Sequence, residues 1–179
     1  MSDSRPSLPT AAALVAAAVS VGGSLYLSLG MGLIACPLCF YQRAFAFAAL
    51  GALILGVFTR ARDTGYVNLM AFLPAVAGGL VAAFHTYLEA TGKLVCPKGI
   101  AGIGTTPQQS VASFVLILVC LLPGLALDVR RKGLSVASVG WSLLLGGAFA
   151  YGCIVSSPPP RMPPPDIRPL TCHPPETAG

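Results

Sequence analysis

Long apolar runs alternate along the chain with short polar links, and the length of the runs sets the architecture. Five of them reach the roughly 17 to 25 residues that carry a helix across a hydrocarbon core about 30 Å thick. They cover residues 9–29, 39–58, 67–90, 110–127 and 134–155. The first, fourth and fifth hold no charged residue, the second holds Arg43 and the third Glu89, each close to an end where a polar head can reach the interface. Pro74 and Pro123 fall inside the third and fourth runs, where membrane helices tolerate them. The pattern predicts an all-α integral membrane protein, a bundle of five transmembrane helices over residues 1–155, with a proline-rich tail at 156–179.

Composition agrees and charge adds an orientation. Of 179 residues 55% are hydrophobic and 9% charged, with a mean hydropathy of +0.77, against about a quarter charged in soluble domains. The net charge of +5 is scattered over short links rather than gathered on one face, so no nucleic-acid partner is expected. Arg5, Arg60, Arg62, Arg130, Arg131 and Lys132 fall on one side of the predicted bundle and Lys93, Lys98, Arg161 and Arg168 on the other. The excess places the N-terminus in the cytoplasm and the tail outside. Tyr26, Tyr41, Tyr87 and Tyr151 then form an aromatic belt near the outer surface. Gly78, Gly79, Gly146 and Gly147 suit close helix packing. The glycine-rich stretch "GIAGIGTT" reads as slack in an outer loop, since it follows a membrane helix rather than a strand. "LIAC" at 33–36 has the look of a lipoprotein processing site, but the run before it is long enough to be a span in its own right.

On this topology Cys36, Cys39, Cys96 and Cys172 face the oxidising extracytoplasmic side, Cys120 is mid-span and Cys153 is near the outer end of the fifth helix. Cys120 reads as packing. The tail has nine prolines, which favour an extended, semi-rigid arm. At about 3.1 Å per residue the arm from Val155 to Cys172 spans at most roughly 50 Å. That is enough to bring Cys172 back over the bundle to Cys96 or to Cys36.

The stretch "CPLCFYQR" at 36–43 carries the chemistry. Pro37 suits the first turn of a helix, so Cys36 and Cys39 share one face at its start. A helix N-terminus and a cation one turn on, Arg43, both favour thiolate, the species that exchanges disulfides. A disulfide inside so short a loop constrains little, which leaves it no structural purpose. Zinc would want four ligands, and Cys36, Cys39 and Cys96 with Cys172 or His173 lack a second paired spacing, so no metal is expected. Covalent haem would want a histidine where Phe40 stands.

These residues resemble the motif of the disulfide bond formation protein B family, membrane quinone reductases that reoxidise a periplasmic thioredoxin-fold oxidase. The likeness extends to His85 and Thr86 near the end of the third span and to Cys96 in the following loop. It departs from the family beyond about residue 127, because the family has four spans and keeps both cysteines of its second pair in that loop. The resemblance implies a protein-disulfide:quinone oxidoreductase of the bacterial inner membrane, with a four-helix core plus one extra helix. It implies catalytic Cys36, Cys39 and Cys96, a quinone (ubiquinone or menaquinone) held near Arg43 and His85, and a periplasmic dithiol oxidase as partner; catalytic Cys172 is expected from topology and reach. Cys172, returned by the fifth helix, would then replace the missing loop cysteine, with Cys153 the other candidate to pair with Cys96. An outward conduit for reducing equivalents and a non-enzymatic metal-holding membrane protein are the alternatives.

Overall fold

The computed structural model describes residues 7–58, 64–132, 134–158 and 172–175. The described residues form five α-helices: α1 (Leu8–Leu29), α2 (Pro37–Phe58), α3 (Thr64–Ala90), α4 (Thr106–Lys132) and α5 (Val136–Ser156). All five are long and apolar enough to cross a membrane. Their starts follow local chemistry. Extended Ser7 precedes α1, with Pro9 in its first turn. Pro37 opens α2, and the Ser135 hydroxyl accepts from the Ala137 N–H at the start of α5. Helix α4 runs past the predicted span at both ends, because hydropathy marks only the lipid-length part of a helix whose backbone bonds continue through "TPQQ" and "DVRRK".

Helices α1 to α4 pack as a closed ring, each against the next and α4 back on α1, while α5 lies outside against α3. Lipid offers no hydrophobic drive between helices, so their association depends on close approach of small side chains. Ala13, Ala17, Ala49, Ala71, Ala75 and Ala82 are fully buried between them. A Cβ on Gly78 would collide with the Phe114 ring of α4, and one on Gly146 would meet the Leu73 carbonyl at 3.1 Å, so these glycines set the α3–α4 and α3–α5 spacing. Gly147 has open space around it, contrary to the packing expectation. Leu144, Phe149, Tyr151 and Val155 of α5 are exposed, as lipid-facing residues should be.

The two ends of the bundle differ in chemistry. At the end where α1 and α3 begin, Thr10 donates to the Asn68 side-chain oxygen at 3.1 Å and Asn68 donates to Asp128 at 3.1 Å. All three are at least 95% buried, and they join α1, α3 and α4. The opposite end carries the sulfur. There "GIAGIGTT" is a folded turn rather than slack. Gly99 N–H donates to the Gly104 carbonyl at 3.0 Å. The Gln109 side chain accepts from Ile100 N–H at 2.8 Å and donates to the Ile100 and Ile103 carbonyls at 2.9 Å. Ala101, Gly102 and Gly104 take positive φ to make the turn, which glycine does without steric cost. The expected polyproline arm falls on residues 159–171, outside the described residues, but its far end is docked. Val95 and His173 exchange two backbone hydrogen bonds, at 2.8 and 3.2 Å.

Replacing Asn68 by Ala removes both the donor to Asp128 and the acceptor for Thr10, and we expect a loss of about 1–3 kcal/mol. The thermal midpoint in detergent should fall accordingly, whereas Gly147→Ala should leave it unchanged.

Candidate functional site

Cys36 is the last residue before α2, so the first free N–H groups of the helix point toward it. Phe40 N–H donates to the Cys36 carbonyl at 2.9 Å, closing the first turn, and Cys39 N–H donates to the Cys36 sulfur at 3.3 Å. The turn brings the Cys36 and Cys39 sulfurs to 2.8 Å, with no disulfide between them. Cys36 is only 5% exposed. Its pKa is nonetheless pulled down to about 5: the hydrogen bond from the Cys39 thiol outweighs the opposing effect of burial, and His85 adds a hydrogen bond and a favourable charge.

His85, near the end of α3, is fully buried and forms the hub of the cluster. Its Nε2 lies 3.9 Å from the Cys36 sulfur and 3.7 Å from that of Cys96, and its Nδ1 lies 4.0 Å from that of Cys39. The Gln42 side-chain nitrogen donates to Nδ1 at 3.1 Å. With Nδ1 accepting, the ring proton sits on Nε2, between the Cys36 and Cys96 sulfurs. Gln42 is 4% exposed and escaped the sequence reading, although its place beside Arg43 in an apolar helix was a signal.

Cys96 and Cys172 are joined in a disulfide across 76 positions of sequence. The Val95–His173 backbone pair flanks it, and Cys172 is 2% exposed. Of the two pairings open from sequence, this is the one found. Cys153 is not disulfide-bonded and packs beside this cluster, whereas Cys120 packs into the main core, as expected of a small hydrophobe. The donor atoms of Cys36, Cys39, His85 and Cys172 all lie within 4.8 Å of one another.

Arg43 is turned toward α1. Its Nε donates to the Ser24 hydroxyl at 2.9 Å, and its Nη2 donates to the Ser24 carbonyl at 3.0 Å and the Ser28 hydroxyl at 2.6 Å. These serines, one turn apart on α1, were also missed from sequence. A cavity of about 320 Å³ opens between α1, α2 and α4, with Cys39, Gln42 and Arg43 on one wall, Ser110 and Ser113 opposite, and Ile100 of the glycine-rich turn above. It lies at the small end of the range of ligand pockets. His85 is not on this wall, as had been expected, but one layer behind it, reached through Cys39 and Gln42.

A family model described as "Disulfide bond formation protein DsbB" matches residues 6–156. The chain belongs to the DsbB family. Disulfide bond formation protein B of Azoarcus sp. (strain BH72) is 34% identical over 154 residues, 82% of this chain and 87% of the relative. Disulfide bond formation protein C of Bacillus subtilis (strain 168) is 33% identical over 130 residues, 63% and 91% of the two chains. No solved structure matches. Membership in the DsbB family makes this a membrane oxidoreductase of disulfide formation. The DsbB match runs through α5 to residue 156, past the limit near residue 127 expected from the sequence, and Cys172, which completes the second sulfur pair here, lies outside it.

Two measurements check this geometry. Peptide mapping of the unreduced protein should recover Cys96 linked to Cys172 and neither linked to Cys153. In the titration of thiolate ultraviolet absorbance, one thiol should ionise near pH 5, protonated below and anionic above. Cys36→Ser should remove that step.

Proposed function

We propose that the protein passes electrons from a reduced periplasmic thioredoxin-fold oxidase, through Cys96/Cys172 and then Cys36/Cys39, to a membrane quinone. The observation that carries this reading is the contact of the Cys96–Cys172 disulfide and the Cys36/Cys39 pair around one buried imidazole, with Cys39 also on the cavity wall. The sulfur-bearing end would be periplasmic and the N-terminus cytoplasmic, in the inner membrane, in line with the charge distribution of the links.

Cys96 is the partly exposed sulfur of its pair and Cys172 the buried one, so an incoming thiolate meets Cys96. Attack there forms a mixed disulfide and frees Cys172 as thiolate. The partner's second thiol then displaces Cys96, leaving the partner oxidised and both cysteines reduced. Exchange with a Cys36–Cys39 disulfide restores Cys96–Cys172 and leaves Cys36 and Cys39 as thiols. Nε2–H of His85, beside both Cys36 and Cys96, can donate a hydrogen bond to whichever sulfur departs as thiolate. Gln42 keeps that nitrogen turned to the sulfurs.

The cavity fits a quinone head group: it is mostly apolar, holds Arg43 and serine hydroxyls as donors, and borders Cys39. A quinone held there would supply the two-electron acceptor, and Cys36 and Cys39 would close to a disulfide as they give up two electrons and two protons to it. Arg43 would orient a carbonyl oxygen while its serine contacts fix the guanidinium. The outward-conduit alternative would want a redox pair inside the spans, and Cys120 and Cys153 pack in separate clusters.

The reduced protein, mixed anaerobically with a soluble quinone, should produce quinol, and Cys39→Ser should reduce this to background. Arg43→Leu should lower kcat/KM about ten- to hundredfold, the loss of a charge-assisted hydrogen bond. Quinol production unaffected by Cys39→Ser would overturn the reading.

A further inference from the structure

We propose that the fully reduced protein binds one zinc ion through Cys36, Cys39, His85 and Cys172, and that the ion holds both thiol pairs out of exchange. This goes beyond the electron-transfer reading and stands on the ligand set alone. In a tetrahedral site with Zn–S of about 2.3 Å and Zn–N of about 2.0 Å, ligand atoms lie roughly 3.5 to 3.8 Å apart. The four donor atoms here are already within 4.8 Å of one another. Cys36 to Nε2 of His85 is 3.9 Å, and Cys36 to Cys39 is 2.8 Å. Side-chain shifts of about an ångström complete the tetrahedron. Three thiolates and an imidazole are the donors zinc prefers, and Cys36, His85 and Cys172 are at least 95% buried, as in a closed site that keeps no open position for water.

The ligands come from three parts of the fold: the start of α2, the end of α3 and the docked tail. Two backbone hydrogen bonds between Val95 and His173 hold the tail independently of the disulfide, so Cys172 remains beside the cluster after reduction. Gln42 is placed to orient the imidazole, and rotation of its amide lets its oxygen accept Nδ1–H while Nε2 binds metal.

Redox state gates the site. With Cys96–Cys172 closed, the Cys172 sulfur offers no thiolate and three ligands remain. An external dithiol that reduces this bond supplies two electrons and two protons and becomes a disulfide itself, leaving Cys96 and Cys172 as thiols. Zinc then enters, and each coordinating thiol that carries a proton releases it to solvent.

The test uses the full chain in detergent with no quinone present, so failure of the quinone assay does not bear on it. Cobalt(II) is titrated anaerobically into protein that has been reduced and freed of reductant, followed by zinc. We expect the intense visible bands of four-coordinate cobalt and thiolate-to-cobalt charge transfer, saturating at one equivalent and bleached by zinc. Protein with Cys96–Cys172 intact should bind at least about a hundredfold more weakly, since even a lost supporting contact costs ten- to hundredfold. Cys172→Ser should show the same weakening when reduced, whereas Cys96→Ser, which leaves Cys172 a permanent thiol, should bind without prior reduction of the pair. Zinc should also protect the wild-type thiols from alkylation until a chelator is added. Absence of four-coordinate bands, or equal binding by the reduced wild type and Cys172→Ser, would overturn the proposal.

Discussion

An imidazole buried among sulfur atoms is the constraint on which the rest of this molecule depends. His85 has no access to solvent, so its polar atoms must be satisfied by protein groups. Gln42 meets one nitrogen, and sulfurs from α2 and from the loop after α3 surround the ring. For those atoms to converge, α2 must begin at Pro37, α3 must extend to the level of the loop, and the chain end must return to Val95. Two of these requirements are met by local devices: a proline in the first helical turn of α2 and a two-bond backbone pair at the chain end.

Different contacts hold the bundle at its two ends and in its middle. Its far end is tied by the Thr10, Asn68 and Asp128 chain, and its middle by alanines and the glycine contact with Phe114. The sulfur end is tied as well, by the Gln42–His85 contact between α2 and α3. Arg43 adds three hydrogen bonds to Ser24 and Ser28, which join α2 to α1 beside the cavity. Burying a cation in an apolar region is costly unless its donors are satisfied. Among the described residues, the oxygens of Ser24 and Ser28 accept from Nε and Nη2 at the cavity wall.

The spans were legible because hydropathy is a local property, summed over about twenty residues. The CPLC turn was legible because cysteine spacing and the helix-starting proline lie within four positions. The tail pairing was legible only in part: reach allowed several partners, and the choice of Cys96 depends on the non-local Val95–His173 pairing, which has no signature in either segment. His85 was singled out, but its depth was misjudged, since a helix sequence gives no sign of which layer a residue occupies. Gln42, Ser24, Ser28 and Asn68 were passed over for a related reason. A lone polar residue in an apolar helix has no periodicity, and its meaning comes from partners between 15 and 60 positions away.

The Val95–His173 pair has a kinetic consequence. A thiol on a loose proline-rich chain would sample a volume tens of ångströms wide, at an effective concentration in the millimolar range. The two backbone bonds of the adjacent residue pair instead confine the opened ends to near-contact. Ring closure then competes with any bystander thiol on the advantage of proximity rather than on intrinsic reactivity.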